Sequence, residues 1–386
     1  MRRTVAFDVT SAVTQRAGVG RYTRELFDAL VTLSDAEVEI EVGKQFELRP
    51  FYVAPGATYP LAGAGGPAPV QVDRSIRAWR LEMLARHALR RPAPGPWDGA
   101  SLYHAPDVVY PPVHGMPVVM TVHDLSYLVY PRYHTRLNGG YLRLMTPTVT
   151  RDARLIMADS EATRRDLIGR VGVPEDKIRV VYPGVGDLFR RSPTPEEIAA
   201  ARRRYDLPDA FILSVGTLEP RKNLAGALRA YRLLRARCPD APPLLLVGGA
   251  GWGLDEARLV GVGEGASVRR LGFVPDEDLR VLYAACSVFV YPSLYEGFGL
   301  PVAEALSLGA PTVTSRVSSL PEVAGDAALL VDPHDVEDIA TALTRVLEDT
   351  ALAARLRATG PARAAQFTYE ACACGTRDVY AEALEG

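Results

Sequence analysis

Residues 290–306 read VYPSLYEGFGLPVAEAL, and this stretch decides the fold class. Its order of residue types predicts the end of a strand, a glycine turn and a helix that begins at Pro301, because proline is favoured at the first helical position. Glycines let the main chain approach a ligand closely, and the N–H groups at a helix start favour an anion. The stretch therefore predicts a strand-to-helix junction that holds an anion such as a diphosphate at Gly297–Gly299.

The same succession of strand and helix patterns runs along the whole chain, which predicts parallel βαβ units with helices on both faces of each sheet. In the first half the predicted strands are Thr4–Val9, Leu102–His104, Val118–Val122 and Leu155–Ala158. In the second half they are Phe211–Val215, Leu244–Val247, Val268–Leu271, Val288–Tyr291 and Pro311–Thr314. We therefore predict an α/β fold of two doubly wound, Rossmann-like domains that face an interdomain cleft.

The length of 386 residues suits two such domains, because single hydrophobic cores stop growing at about 250–300 residues. The turn-rich stretch Tyr182–Asp187 is followed by a polar segment. We place the boundary there, so that the first domain covers residues 1–187 and the second covers residues 188–366.

The composition is that of an ordinary globular protein, with 48% hydrophobic residues, 23% charged residues and a net charge of −2. It lacks the basic excess that favours nucleic acid, so we expect no nucleic-acid partner. The four cysteines include no pair at the spacing of a zinc knuckle or a redox motif, which favours a reducing compartment. No run is apolar enough for a signal peptide or a membrane span, and we expect a cytoplasmic protein.

The segment Arg74–Arg91 is predicted to form a basic amphipathic helix. It carries apolar residues at helical spacing and six arginines against the single acid Glu82. Two interpretations stay open: a surface helix docked on its own domain, or a helix that attracts anionic lipid or a phosphorylated lipid acceptor at the inner membrane face. The preceding residues 54–69, rich in Gly, Pro and Ala, are predicted to form a loop.

Two carboxylates and two cations accompany the predicted anion site. Glu296 lies in the turn before it and Glu304 about one turn inside the helix, so the two can bracket phosphates and accept hydrogen bonds from sugar hydroxyls. Taken alone, this spacing also fits a turn acid and a solvated helix residue. A second junction, at residues 214–224, carries Arg221 and Lys222 at the strand edge where α/β sheets bind ligands. Because adjacent cations at a helix start oppose the helix dipole, we predict that these two bind the diphosphate.

The chain resembles the retaining glycosyltransferases of family 4, which have the GT-B fold. The matching motifs extend over nearly the whole chain, at residues 158–161, 182–187, 216–223, 296–304, 309–315 and 320–323. The resemblance is strongest to bacterial members with Gly-x-Gly-Arg-Tyr, here residues 18–22, and Thr-x-His-Asp-Leu, here residues 121–125, many of them mannosyltransferases of surface polysaccharides. It implies transfer of a hexose of the mannose or glucose type from a GDP- or UDP-sugar to a hydroxyl of a glycan, a lipid-linked glycan or a small natural product.

The resemblance also implies roles for the charged residues. Glu296 would contact the hydroxyls of the donor sugar and Glu304 the ribose. Arg221 and Lys222 would neutralise charge that builds on the leaving diphosphate. His123, at the end of an apolar strand, would approach the sugar from the first domain.

The remaining residues that the resemblance assigns to donor binding are mostly backbone positions in turns: Gly18, Gly20, Gly216, Phe273, Val274, Gly297, Phe298, Gly299 and Leu300. Of these, Gly20 would let the first-domain loop close on the phosphates, and Phe273 and Val274 would lie near the base. Residues 367–386 resemble the terminal helix of the family, which returns to pack on the first domain.

The acidic run Asp276-Glu277-Asp278 looks like the metal-binding Asp-x-Asp of the other large glycosyltransferase fold. We predict a helix start with Asp276 as its N-cap instead, because Leu279, Leu282 and Tyr283 follow at helical spacing. We therefore expect no metal, and no cofactor beyond the nucleotide sugar as co-substrate.

Three other functions share parts of the pattern. A nucleotide-sugar 2-epimerase would keep the diphosphate site but needs acid and base side chains at the sugar carbon, and it is the runner-up. A dinucleotide-dependent oxidoreductase is disfavoured because the motifs that begin at Gly18 and Gly249 have Thr23 and Leu254 in place of the third glycine. A non-catalytic sugar-binding relative is disfavoured because the expected charged positions are all filled.

Overall fold

The computed structural model describes residues 3–15, 18–35, 46–56, 66–249, 251 and 267–385. The chain divides into two compact units, residues 1–184 with 368–386, and residues 185–367. The division falls after Gly184, whereas the predicted boundary follows Asp187. Part of the predicted loop at 54–69 and part of the motif at Gly249 lie outside the described residues.

The described part of the first unit forms a parallel seven-stranded sheet in the order β3-β2-β1-β4-β5-β6-β7. Its strands are β1 (Arg3–Asp8), β2 (Phe46–Val53), β3 (Val70–Val72), β4 (Leu102–Ala105), β5 (Val118–Val122), β6 (Leu155–Ala158) and β7 (Ile178–Val180). Its α-helices are Thr10–Thr14, Val19–Asp35, Ile76–Leu89, Ser126–Val129, Arg136–Asp152, Glu161–Asp166 and Tyr369–Glu385. Val5 and Phe7 of β1 pack into one core and Ala6 into another, so both faces of the sheet are covered.

The described part of the second unit repeats this plan with a parallel six-stranded sheet in the order β10-β9-β8-β11-β12-β13. Its strands are β8 (Ile212–Val215), β9 (Leu244–Val247), β10 (Val268–Gly272), β11 (Val288–Tyr291), β12 (Thr312–Ser315) and β13 (Ala328–Val331). Its α-helices are Asp187–Arg190, Pro195–Tyr205, Leu224–Arg237, Asp276–Ala285, Leu300–Ser307, Leu320–Ala324, Val336–Glu348 and Thr350–Ala364. The predicted α/β class with two doubly wound sheets is confirmed.

All nine strands predicted from the sequence form, with bounds that shift by a residue at some ends. Four strands of the described ranges were not predicted. β2 carries Pro50 and two charged residues, and β3 and β7 are three residues long, too short to produce a pattern. β13 is as long as several predicted strands, and its length does not explain why it was missed.

The helix Tyr369–Glu385 belongs to the first unit although it comes last in the chain. Tyr369, Cys372 and Tyr380 are buried in the same core as Val5 and Phe7 of β1. Packing of the terminal segment on the first unit therefore uses an apolar face rather than a covalent link, and Cys372 is a free, buried thiol.

Candidate active site

Each sheet has a topological switch point, where successive connections leave a central strand in opposite directions. In the second unit β8 lies between β9 and β11, and in the first unit β1 lies between β2 and β4. Ligands of open α/β sheets bind outside the carboxyl ends of the strands at such a point. The segments that follow β8 and β11 contain residues 216–223 and 292–299, where the sequence predicts the anion site.

The Glu296 carboxylate is the centre of a polar cluster after β11. Its Oε2 accepts a hydrogen bond from Arg221 Nη1 at 2.7 Å. Its Oε1 accepts bonds from Lys222 Nζ at 2.8 Å, from the Tyr291 hydroxyl at 2.8 Å and from the Ser293 hydroxyl at 2.6 Å. The side chain of Glu296 is only 7% exposed. Four donors on one buried carboxylate do not fit a solvated turn acid, and they fix both predicted cations beside the glycine turn.

The cluster sets the protonation states of its members. Burial opposes ionisation of Glu296, but the charges of Arg221 and Lys222 and the hydrogen bonds outweigh it and lower the pKa of Glu296 to about 2. Burial, together with the neighbouring Arg221 charge, lowers the pKa of Lys222. Burial also raises the pKa of the Tyr291 hydroxyl well above its usual range. Glu296 is therefore a carboxylate at neutral pH, and Tyr291 is a neutral hydrogen-bond donor.

A second carboxylate, Glu219, belongs to the cluster and was missed in the sequence. Arg221 Nη2 donates to Glu219 Oε1 at 2.8 Å, and Lys222 Nζ lies 3.8 Å from the same oxygen. The available signal was an acid two positions before Arg221 and three before Lys222. Two cations thus face two carboxylates, so that the cluster as a whole carries no net charge.

The glycine turn leads directly into the helix Leu300–Ser307. This helix begins at Leu300, one residue before the predicted start, and Pro301 occupies its first turn. The preceding Gly299 has a φ of 105°, and a Cβ there would lie 2.7 Å from a side-chain carbon of Leu320. Gly299 supplies no side-chain cap, Pro301 has no N–H, and the N–H of Val302 donates to the backbone oxygen of Gly299 at 2.9 Å, so the anion site at this helix start stays a prediction.

Hydroxyl groups hold the turn and the second predicted carboxylate in place. The Ser319 hydroxyl donates to the backbone oxygens of Glu296 and Phe298, at 3.0 and 2.8 Å. Glu304 is 3% exposed, and its Oε2 accepts a bond from the Tyr283 hydroxyl at 3.3 Å. Glu304 is thus a buried polar group and not a solvated helix residue.

In the first unit, His123 follows β5 and is held by two acceptors. Nδ1 lies 2.7 Å from Asp159 Oδ2 and Nε2 lies 2.8 Å from the backbone oxygen of Pro106. Since both partners accept, both ring nitrogens must donate, which makes His123 an imidazolium. Burial opposes this charge, but the Asp159 carboxylate outweighs it and raises the pKa of His123 to about 9. Asp159 lies in the motif at residues 158–161, but the sequence did not reveal that it is the partner of His123.

Two family models match the two halves of the chain. The model described as Glycosyltransferase Family 4 matches residues 16–187, and the model described as Glycosyl transferases group 1 matches residues 197–363. The O-antigen chain mannosyltransferase B of Escherichia coli is 40% identical over 285 residues, which are 72% of this chain and 74% of that relative. The chain belongs to glycosyltransferase family 4.

Two further proteins resemble this glycosyltransferase at lower sequence identity. A D-inositol 3-phosphate glycosyltransferase of Nocardioides is 34% identical over 255 residues, 61% of this chain and 55% of that relative. The solved structure of Anabaena HepE in complex with UDP-glucose has a TM-score of 0.71 at 18% identity, covering 98% of this chain and 99% of that one. At this identity the likeness concerns the fold alone, which is GT-B.

The predicted glycines of the glycosyltransferase lie at the expected junctions. Gly18 precedes the helix Val19–Asp35, Gly20 lies in its first turn and Gly216 follows β8. A Cβ on Gly20 would come within 2.1 Å of the backbone oxygen of Gln15. Close local packing therefore already explains why this position requires glycine.

Phe273 and Val274 follow β10, as predicted, but differ in exposure. Phe273 is 55% exposed, whereas Val274 is 3% exposed.

Asp124, the residue after His123, has a local structural role. Its Oδ1 accepts bonds from the backbone N–H and the hydroxyl of Ser126, at 2.8 and 2.6 Å. This carboxylate stabilises the start of the short helix Ser126–Val129.

The acidic run at 276–278 starts a helix, but the prediction that Asp276 is the N-cap is wrong. The helix begins at Asp276 itself, and Pro275 holds the capping position, because its fixed φ suits the chain just before the first turn. Asp278 Oδ2 accepts bonds from the hydroxyl of Tyr205 and from Arg204. This acid is therefore engaged by a cation within its own unit.

None of the helices in the described ranges is both long enough and apolar enough to cross a membrane.

Proposed function

We propose that this glycosyltransferase moves a hexose, with retention of anomeric configuration, from a nucleoside-diphosphate sugar to a hydroxyl of a glycan, lipid-linked or small-molecule acceptor. The observation that carries the proposal is the pairing of Arg221 and Lys222 with Glu296 at the switch point of the second sheet. Adjacent cations beside a glycine turn and a helix start suit a diphosphate, which carries its charge on closely spaced oxygens.

In this proposal Arg221 and Lys222 stabilise the charge on the departing diphosphate, and electrostatic stabilisation of this kind is usually the largest catalytic contribution. The cluster carries no net charge, so the diphosphate must draw both cations away from Glu296 and Glu219. Glu296 is then free to accept hydrogen bonds from hydroxyls of the transferred sugar. In this way the transfer reaction and the binding of the nucleotide sugar both depend on the Glu296 carboxylate.

The remaining donor contacts are proposed from the family resemblance. Backbone groups of Gly216, Gly297, Phe298, Gly299 and Leu300 bind phosphate oxygens, and Glu304 binds the ribose. Phe273 and Val274 adjoin the base. Gly18, Gly20 and His123 of the first unit are the other residues that the resemblance assigns to donor binding.

The relatives guide the choice of sugar. The E. coli relative is named as a mannosyltransferase of the O-antigen chain, and the HepE structure contains UDP-glucose. We therefore propose a mannose- or glucose-type donor, carried by GDP or UDP, and a role in polysaccharide biosynthesis. We propose that the transfer requires no metal ion, because the two cations supply the positive charge that a metal would otherwise provide.

The decisive experiment is a donor screen. GDP-mannose, UDP-glucose, UDP-GlcNAc and dTDP-sugars are tested for protection against thermal unfolding and for release of nucleoside diphosphate. One of the first two should protect the protein, and release should depend on an added acceptor. Acceptor-independent conversion of the sugar would favour a 2-epimerase, and failure of every donor to bind would overturn the proposal.

We also propose peripheral contact with an anionic membrane surface at the cytoplasmic face, through the helix Ile76–Leu89 and its flanking arginines. Trp79 and Met83 dock this helix on its own unit, whereas Leu81 and Leu89 are 67% and 65% exposed. Ile76, the first residue of this helix, is 37% exposed.

The charge of this surface resides in three exposed arginines, Arg77, Arg90 and Arg91. Arg74 and Arg86 instead pair with Glu82. Each basic residue at an anionic surface is worth about 1 kcal/mol. Replacing the three exposed arginines with alanine should abolish co-sedimentation with phosphatidylglycerol vesicles, whereas replacing exposed Arg355 should not. Equal binding of the triple variant would contradict the membrane contact.

A further inference from the structure

The main chain that follows β11 is held by hydroxyl side chains of one neighbouring segment, residues 314–319. Thr314 Oγ1 donates to the backbone oxygen of Tyr291 at 3.0 Å, and the Ser315 hydroxyl donates to that of Ser293 at 2.7 Å. Thr314 and Ser315 are fully buried, so water does not compete for these bonds. The end of β12 therefore fixes the first part of the chain that leads to the glycine turn.

Both backbone polar groups of Glu296 are bonded to the next two hydroxyls of the same segment. The backbone N–H of Glu296 donates to Ser318 Oγ at 3.0 Å. The backbone oxygen of Glu296 accepts a bond from the Ser319 hydroxyl, which also donates to that of Phe298. Ser319 is fully buried and Ser318 is half-buried. A displacement of the Glu296 main chain would break its bonds to two adjacent serines.

Ser318 adopts a backbone conformation that side chains disfavour, with a φ of 54° in the left-handed region. Three other non-glycine residues of the described ranges have a positive φ, and each caps a helix: Arg90, Asp206 and Asn223. Ser318 caps no helix, since Ser319 is the N-cap of the helix Leu320–Ala324. Glycine would adopt this φ without strain, so the hydroxyl bonded to Glu296 is what serine adds. Backbone strain of this kind clusters at functional sites.

A fixed main chain matters here because the carboxylate of Glu296 has to exchange partners. In the proposed reaction the diphosphate draws Arg221 and Lys222 away, and the carboxylate oxygens turn to hydroxyls of the sugar. Rotation of the side chain achieves this exchange if the main chain stays in place. A displacement of about 1 Å in a group that acts on the reacting atoms can cost about 10²-fold in rate.

We infer that Ser318 and Ser319 are positioning residues for Glu296. Their hydroxyls hold its main chain still while its carboxylate passes from the two cations to the donor sugar. The inference rests on the proposed transfer reaction and adds two residues that set its rate without contact with the substrate.

The test compares Ser318→Gly, Ser318→Ala and Ser319→Ala with Ser192→Ala, a control at an exposed serine of the same unit. Each of the first three should lower kcat about tenfold, because the carboxylate is then less well placed. Affinity for GDP or UDP should stay unchanged, because Arg221 and Lys222 are retained. The control should alter neither quantity, and thermal unfolding checks that every variant is folded.

The two substitutions of Ser318 separate the hydrogen bond from the backbone conformation. Ser318→Gly relieves the strain and loses the acceptor, whereas Ser318→Ala loses the acceptor and keeps the strain. Equal loss of kcat in both supports the positioning role. Full kcat in Ser318→Gly with reduced kcat in Ser318→Ala would show that only the conformation matters, and it would overturn the inference.

Hydrogen–deuterium exchange of residues 292–299 supplies a readout that needs no substrate. Exchange in the unliganded protein should be faster in Ser318→Gly and Ser319→Ala than in the unsubstituted protein and Ser192→Ala. Unchanged exchange, or unchanged kcat in all three variants of an active enzyme, would refute the positioning role and leave the proposed function standing. If neither nucleotide binds the unsubstituted protein, the proposed function fails and the positioning role fails with it.

Discussion

The two switch points of this glycosyltransferase have the same topology and opposite chemistry. After β8 and β11 of the second unit, two cations and two carboxylates form a neutral cluster beside a glycine turn. After β1 and β4 of the first unit, carboxylates dominate, and Arg80 is directed to Asn138. The fold determines where these two edges lie, and the side chains at each strand end determine the charge there.

The same contrast extends to protonation. Surrounding cations lower the pKa of Glu296 to about 2, whereas burial raises that of Asp8 to about 6. Two aspartate or glutamate side chains at equivalent edges of equivalent sheets thus shift in opposite directions. Arg221 and Lys222 contact Glu296, whereas burial is the largest influence on Asp8, and this difference in surroundings accounts for the opposite shifts in pKa.

The largest effect should come from breaking the cationic cluster. Lys222→Ala and Glu296→Ala should each lower turnover on the order of 10²–10³-fold, because each removes a charged group that we propose to contact the reacting diphosphate or sugar. Steady-state assays with the best donor of the screen measure this effect.

Two exposed residues of the second unit supply controls for this experiment. Arg229→Ala removes a cation, and Glu196→Ala removes an acid, both away from the cluster. Neither should alter turnover more than slightly. Near-normal activity of both Lys222→Ala and Glu296→Ala, with the fold intact, would refute the assignment of the active site.

Acid stability should distinguish the two switch points next. Because the folded pKa of Glu296 lies below its ordinary value of 4.5, its ionised form contributes about 3 kcal/mol that is present above pH 4.5 and lost as the pH falls toward 2. Glu296→Gln should flatten this part of the pH dependence of the free energy of unfolding. Asp8, with a raised pKa, contributes in the opposite sense, so Asp8→Asn should flatten a gain of stability as the pH falls through about 6. If Glu296→Gln and Asp8→Asn altered the pH dependence of the free energy of unfolding in the same way, the two carboxylates would not have opposite pKa shifts.

The sequence predicted where the Glu296 cluster lies better than it predicted which residues form it. Arg221, Lys222, Glu296 and the glycine turn could be found because strand-to-helix junctions leave a strong local pattern. Glu219 pairs with Arg221 within its own segment, so its spacing was a local signal that the prediction passed over. Asp159 was missed as the partner of His123 because an ion pair between different loops depends on tertiary approach, which spacing does not encode. Short strands such as β3 and β7 were missed for a related reason, since three residues carry no periodicity.

A smaller effect is expected at His123, where one carboxylate maintains the charge of the imidazolium. The folded pKa of about 9 lies above the ordinary 6.5, so the contribution to stability is fully present below pH 6.5 and is lost as the pH rises through 9. Asp159→Asn should lower the pKa of His123, because burial still opposes the charge while the Asp159 carboxylate and its hydrogen bond no longer favour it. NMR titration of the His123 ring measures this shift, with Asp124→Asn as the neighbouring control. An unchanged pKa in Asp159→Asn would show that Asp159 does not hold the charge.

Removal of divalent metal ions is expected to have no effect on activity. Asp278 faces Arg204 and the Tyr205 hydroxyl, and the acids of 276–278 complement the dipole at the start of their helix, so their conformation is explained without a metal ion. Activity should survive EDTA, and Asp276→Asn should leave turnover unchanged. Loss of activity with the chelator and its return with Mg²⁺ or Mn²⁺ would mean that Arg221 and Lys222 are insufficient to neutralise the leaving diphosphate. In that case the cations at the switch point of the second unit would not by themselves explain why the donor binds there.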